Sequence, residues 1–194
     1  VIVIAADDGI MPQTREAIKH AQAANVSIMV AINKVDLPAA NPDKVKQQLQ
    51  AADLTPEDWG GEVICCPVSA VTGEGIEHLL DMILVQAQVL ELGADYKKRA
   101  AGFVIESQME PGMGPTAHLL VKRGTLKVGD AVLCGQNWGR VRALINDRGS
   151  KVKSAPPSTP VKCLGLSGVP EAGAECRVES SAKVAKARAE AKAA

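Results

Sequence analysis

The sequence predicts two folds in tandem: an α/β segment of three parallel strands with helices, then a small all-β antiparallel barrel. Three observations carry this reading. Up to about residue 95, apolar runs alternate with amphipathic stretches at the spacing of strands and helices. Beyond that point the apolar runs become short, evenly spaced and punctuated by turn residues. The charge also changes sign there: residues 1–95 carry 5 Lys+Arg against 14 Asp+Glu, and residues 96–194 carry 17 against 8, so a formal net charge of zero hides halves of −9 and +9. The second half is the one suited to a polyanion, although a solvated basic face without a partner fits the same composition. Aromatics make up only 2% of the 194 residues, so both cores must be aliphatic.

The first strand is the continuous apolar run 1–5, of the kind covered on both faces, closed by Asp7-Asp8-Gly9. It has no methionine or cap before it, as expected of a segment from inside a longer chain. Residues 12–24 follow as a helix with Ala17, Ile18, Ala21 and Ala24 on one face, ended by Asn25. Residues 28–32 form the next strand. Asn41-Pro42 supplies an N-cap and first-turn proline for a helix to about Ala52, and Thr55-Pro56-Glu57-Asp58 begins a further short turn of helix. Residues 63–68 are the third strand and 76–92 the last helix, which gives a right-handed parallel arrangement.

The barrel strands are expected at 102–109, 116–123, 131–134, 139–145, 161–166 and 176–179, separated by turns such as Glu110-Pro111-Gly112 and Asn146-Asp147-Arg148-Gly149. From Ser180 onward Ala, Lys, Arg and Glu predict a helix too weakly apolar to fold alone. The expected domains are therefore 1–95, 96–179 and the start of a helical linker at 180–194. Cys65, Cys66, Cys134, Cys163 and Cys176 lack C-x-x-C spacing and sit mostly in apolar runs, so they are expected as small core residues in a reducing compartment, with no metal site. No run approaches the length of a membrane span and no signal peptide is evident, which predicts a cytoplasmic location and no membrane partner.

Two loops carry the chemistry. Asn33-Lys34-Val35-Asp36 follows the second strand directly. Guanine presents an N1 hydrogen beside a 2-amino group, and a fixed carboxylate such as Asp36 can accept both in a charge-assisted pair. Adenine has no such pair of donors, and a site built to satisfy hydrogen bonds can reject the analogue lacking them by a factor of roughly 10⁴. Asn33 would tie neighbouring loops and reach the base, while the stem of Lys34 covers the ring. The same tetrapeptide also suits a polar βα turn with Asp36 as a cap. Ser69-Ala70-Val71-Thr72-Gly73-Glu74-Gly75 follows the third strand, and its small residues allow close backbone approach to a planar ligand. There the Ala70 amide would donate to the 6-oxo group and Ser69 would brace the turn. The alternative for this stretch is an ordinary helix entry with flexible glycines. Both loops lie at strand ends, where open parallel sheets bind ligands.

These loops, together with Ala5-Ala6-Asp7-Asp8-Gly9-Ile10-Met11-Pro12-Gln13-Thr14, Arg123-Gly124-Thr125-Leu126-Lys127-Val128-Gly129-Asp130, Gly139-Arg140-Val141-Arg142-Ala143 and Val169-Pro170-Glu171-Ala172-Gly173, resemble the middle of bacterial translation initiation factor two. The resemblance implies the second half of a P-loop GTPase G domain, barrel domain two and the start of a linker helix. It implies a factor that carries initiator tRNA to the small ribosomal subunit and promotes subunit joining under GTP/GDP control. By similarity Asn33, Lys34, Val35, Asp36, Ser69, Ala70 and Val71 would bind the nucleotide. Val71 departs from the Lys that related GTPases often place there.

The family's phosphate loop, switches, catalytic histidine and Mg2+ site lie upstream of Val1, and its initiator-tRNA domain lies downstream. His20, His78 and His118 are therefore expected as surface or strand residues, no catalytic residue is expected here, and the fragment alone should not hydrolyse GTP. An edge strand at 1–5 missing its neighbour would favour aggregation, with the barrel the more independent unit. The basic barrel implies docking on small-subunit ribosomal RNA, with Arg140, Arg142, Arg148, Lys151 and Lys153 as candidate phosphate contacts. Two alternatives stay open: a non-hydrolysing ribosome- or RNA-binding scaffold, and another translational GTPase such as an elongation factor.

Overall fold

The computed structural model describes residues 1–193 and divides into two compact units, Val1–Leu92 and a second beginning at Gly93. In the first unit, strands β1 (Ile2–Ala5), β2 (Val30–Asn33) and β3 (Cys65–Pro67) form a parallel sheet in the order β1-β2-β3. Ile2 pairs with Val30 and Ile4 with Ile32, while Val30 pairs with Cys65. Side chains alternate between faces, so Ile4, Val30 and Ile32 point to one side and Ala31 and Cys66 to the other. Ile18 of α1 (Pro12–Ala23) and Val45 and Leu49 of α2 (Pro42–Gln50) cover the first side. Ile76, Leu79 and Met82 of α3 (Ile76–Val89) cover the second.

The caps explain the boundaries. Asn41 Oδ1 accepts from the Lys44 N–H at 3.0 Å and starts α2, with Pro42 as its first residue. A short 3₁₀ turn occupies Glu57–Trp59 and ends at Gly60 with φ +82°. On α1 only Ile18 is buried; of the other residues expected on its inner face, Ala21 is half-buried and Ala17 and Ala24 are exposed.

The second unit is a closed antiparallel barrel. Strands β4 (Ala101–Glu110), β5 (Gly114–Arg123), β7 (Ala131–Cys134), β8 (Asn137–Ile145), β11 (Pro160–Leu166) and β12 (Glu175–Glu179) run in the order β11-β5-β4-β12-β7-β8, and β8 pairs back to β11. Three two-residue strands complete it: β6 (Leu126–Lys127), β9 (Lys151–Val152) and β10 (Ser154–Ala155). Closure removes the free edges that an open sheet would expose. At the closing seam Gly165 has φ +113°, and a Cβ there would lie 2.1 Å from the Arg140 carbonyl oxygen, so the close approach of β8 and β11 requires glycine. Val104, Leu119, Val121, Val132, Val141, Leu144 and Val161 fill the interior.

The segment after the last strand and the cysteines each add a finding. The helical segment α4 (Ala182–Ala193) lies on the barrel, with Ala185 and Ala189 packed against Leu133 and Trp138. Its apolar contribution is only a strip of methyl groups, but a neighbouring sheet face supplies the rest of that interface. The cysteines are not all separate thiols either. Cys134 and Cys176 face one another across β7 and β12 and form a disulfide, which runs against the expectation of reduced core residues. Cys65, Cys66 and Cys163 are free; burial raises the Cys65 thiol to about 11 and the Cys163 thiol to about 12, so neither is a ready nucleophile near neutrality.

Candidate functional site

The candidate site is built from the loops that leave the carboxyl ends of β2 and β3. Asn33 is the last residue of β2. Lys34 then adopts φ +65°, a left-handed conformation uncommon for a residue with a Cβ, and this turns the chain sharply toward β3. The Val35 N–H donates to the Val68 carbonyl at 3.3 Å, and the Leu37 N–H to that of Lys34 at 3.2 Å. The Lys34 ammonium lies 3.6 Å from Asp7 Oδ1 and 3.9 Å from Asp8 Oδ2, on the loop that follows β1. Strand ends β1, β2 and β3 therefore all contribute to one edge of the sheet.

Ser69 organises the second loop from a fully buried position. Its N–H donates to the Glu74 carbonyl at 2.9 Å, its carbonyl accepts from the Gly73 N–H at 2.8 Å, and its Oγ accepts from the Thr72 N–H at 3.2 Å. The hydroxyl itself donates to Asp36 Oδ1 at 2.6 Å. Gly75, with φ +72°, closes the loop where a Cβ would come within 2.2 Å of the Pro67 carbonyl oxygen. The glycine there is a packing requirement as well as a helix entry, which the sequence motif did not disclose.

Two cross-links thus lash the loops together: Ser69 to Asp36, and the Ala70 N–H to Asn33 Oδ1 at 3.0 Å. Asp36 is exposed, and its Oδ2 has no hydrogen bond or ion pair among the described residues. The Ser69 hydroxyl occupies one acceptor site on Oδ1 and leaves Oδ2 open, so the held carboxylate keeps capacity to accept from an external donor pair. The Ala70 N–H, expected to donate to a base oxygen, is instead on Asn33, whose amide carbonyl lies within reach across the strand ends. A ligand acceptor would have to share that donor. Ala70 and Val71 are exposed beside it, Val71 at 88%.

Elsewhere, His20 lies 3.6 Å from Glu16 on the surface of α1, His78 is exposed on α3, and His118 lies 4.0 Å from Glu106 on β5. The candidate cations Arg140, Arg142, Arg148, Lys151 and Lys153 are all exposed along the β8–β9 hairpin and its continuation. Two of them are partly engaged: Arg140 Nη1 donates to the Gly129 carbonyl at 3.0 Å and Arg142 Nη2 to that of Met113 at 2.8 Å. A second group, Arg99, Arg123, Arg177 and Arg188, lines one cavity of the barrel unit and had no signal in the sequence, because its members are dispersed along the chain.

Comparison with known proteins gives a consistent result. Residues 1–89 match the family model for the elongation factor Tu GTP binding domain, and residues 99–179 match that for elongation factor G domain 2. Translation initiation factor IF-2 of Rubrobacter xylanophilus is 57% identical over 190 residues, covering 98% of this chain and 28% of the relative. The Clostridium botulinum (strain Okra) factor of the same name is 58% identical over 173 residues, covering 89% and 25%. The chain therefore spans about a quarter of the length of these curated relatives. Among solved structures, GDP-bound aIF5B from Aeropyrum pernix superposes with a TM-score of 0.81 at 23% identity, covering 98% of this chain and 40% of that one. Apo SelB from Methanococcus maripaludis gives 0.70 at 20% identity, covering 92% and 39%. At those identities the structural likeness speaks to fold.

Proposed function

We propose, from the premise that the chain belongs to the translation initiation factor IF-2 family, that its first unit recognises the guanine base of GTP and GDP and its barrel docks on the small ribosomal subunit. The parent factor would be a GTPase acting in initiator tRNA binding and subunit joining in the cytoplasm. The observation that carries the nucleotide reading is the pair of cross-links between the β2 and β3 loops. They fix Asp36 through Ser69 and leave its second oxygen open at the carboxyl edge of a parallel sheet.

The residues fit a guanine nucleotide. Asp36 would accept from the N1 and 2-amino hydrogens, Asn33 and Ala70 would share their donors with the 6-oxo side, and Lys34, Val35 and exposed Val71 would flank the ring. A preorganised carboxylate loses little freedom on binding, which favours the base whose donors match it. Hydrolysis belongs to the parent, since the 194 residues contain no Gly-Lys-Ser/Thr loop to hold phosphates and Mg2+. The chain by itself would be inactive toward GTP and would bind nucleotide weakly.

For the barrel, the proposed partner is ribosomal RNA, with the exposed hairpin cations Arg140, Arg142, Arg148, Lys151 and Lys153 as candidate phosphate contacts. No helix among the described residues is long and apolar enough to cross a membrane. Calorimetry of the full-length parent with GDP and with ADP tests the base reading. GDP should bind and ADP should bind at least about a thousandfold more weakly; equal affinities would contradict a guanine site.

A further inference from the structure

The register of three adjacent barrel strands assembles a basic site that no contiguous motif contains. Ala101 of β4 pairs with Arg123 of β5 on one side and with Arg177 of β12 on the other. The β4–β5 pairing carries a bulge between Ala101 and Gly102, and Arg123, Ala101 and Arg177 all line one cavity, with the two arginines on either side of a single methyl group. Arg99 lies two residues before Ala101, and Arg188 reaches in from α4. Together with Glu179 these four arginines line an open cavity of about 170 Å³.

The charges there do not balance. Glu179 is buried, and it accepts from Arg177 Nε at 2.9 Å and from Arg188 Nη1 at 2.8 Å on both oxygens. That carboxylate fixes α4 to the barrel and offsets one positive charge. Arg99 and Arg123 make no side-chain hydrogen bond or ion pair among the described residues. Gathering four guanidinium groups around one carboxylate is unfavourable unless solvent or an anion compensates. Planar guanidinium forks match phosphate oxygens in pairs, which point charges on lysines do not.

We propose that this cavity binds backbone phosphate of an RNA strand. The lining offers no aromatic or large apolar side chain on which a free nucleotide or cofactor could seat its base. Exposed lysines neighbour two of these arginines in sequence, Lys98 before Arg99 and Lys122 before Arg123. The proposal rests on the reading of the barrel as an RNA-docking unit and adds a second contact point, apart from the β8–β9 hairpin.

The test is fluorescence anisotropy of the full chain with a short labelled RNA duplex, across salt from about 50 to 200 mM. Arg99→Gln/Arg123→Gln should weaken binding at least about tenfold and lower the log–log salt slope by about two, since each lost phosphate contact removes roughly 0.9. The thermal melt should not move, because neither side chain has a partner among the described residues. Arg15→Gln/Lys19→Gln, on the exposed surface of α1 in the first unit, is the comparison variant and should leave affinity and slope unchanged. If wild type binds and the double arginine variant matches it in affinity and slope, the cavity assignment falls while the barrel reading stands. If wild type does not bind RNA, both fall. Competition by inorganic phosphate or polyglutamate as strong as by unlabelled RNA would also overturn the proposal, as it would mark a small-anion or acidic-protein site.

Discussion

Replacing Ser69 with alanine removes the one hydroxyl that connects the two halves of the candidate base site. The residue is fully buried, and its Oγ donates to Asp36 at 2.6 Å and accepts from the Thr72 N–H at 3.2 Å. A hydrogen bond to a charged acceptor contributes about 1.5–3 kcal/mol and a neutral one about 0.5–1.5 kcal/mol. Asp36 is exposed and can recover water, which places the expected loss near the lower end, about 2 kcal/mol. Alanine has no added volume, so the backbone loop should persist. For a unit of this size about 2 kcal/mol corresponds to a fall in Tm of roughly 10 °C.

The assay is urea unfolding followed by tryptophan fluorescence in a Trp138→Phe background, which leaves Trp59 of the first unit as sole reporter. In the full-length parent the same substitution frees the Asp36 carboxylate to rotate, and GDP affinity should drop about tenfold, equivalent to about 1.4 kcal/mol. A stability change below about 0.5 kcal/mol, together with unchanged GDP binding, would refute the claim that Ser69 positions Asp36.

Asn41→Ala should destabilise the first unit by about 1 kcal/mol through loss of the α2 cap, seen as a lower urea midpoint in the Trp59 signal. Gly165→Ala should destabilise the barrel by more than about 3 kcal/mol, because the new Cβ would meet the Arg140 carbonyl at the closing seam; the Trp138 unfolding signal reports it. Glu110 is held at about 2 by hydrogen bonds from Lys162, Gln108 and Thr116. Its folded value lies below its unfolded one, so its contribution is complete above about pH 4.5 and is lost as pH falls toward 2. Glu110→Gln should therefore flatten the acid limb of barrel stability, measured as the denaturant midpoint between about pH 6 and 3.

Much of this architecture is legible in the residues because its determinants are local. The runs around Ile4, Ile32 and Cys66 announce strands by their apolar content, Asn41-Pro42 announces α2 by its cap, and the two site loops are contiguous motifs at strand ends. What stays hidden depends on pairing. Residues 28 and 29 are as apolar as those that follow, yet β2 begins at Val30, where its partner Ile2 begins. The Cys134–Cys176 bond and the row Arg123, Ala101, Arg177 exist only once the barrel registers are set. The docking of α4 depends on Leu133 and Trp138, which lie far from it in sequence. The Ala70 N–H likewise goes to Asn33 through a tertiary contact that neither loop encodes alone.

If Asp36 selects the base, replacing its carboxylate should switch the nucleotide the site prefers. Calorimetry of the full-length parent, wild type against Asp36→Asn, with GDP and with xanthosine diphosphate would decide it. An amide can donate to the 2-oxo group of xanthine where a carboxylate is repelled, so wild type should prefer GDP and the variant should prefer the xanthine nucleotide. Identical preferences in the two proteins would contradict the assignment and leave the β2 and β3 loops as structural turns.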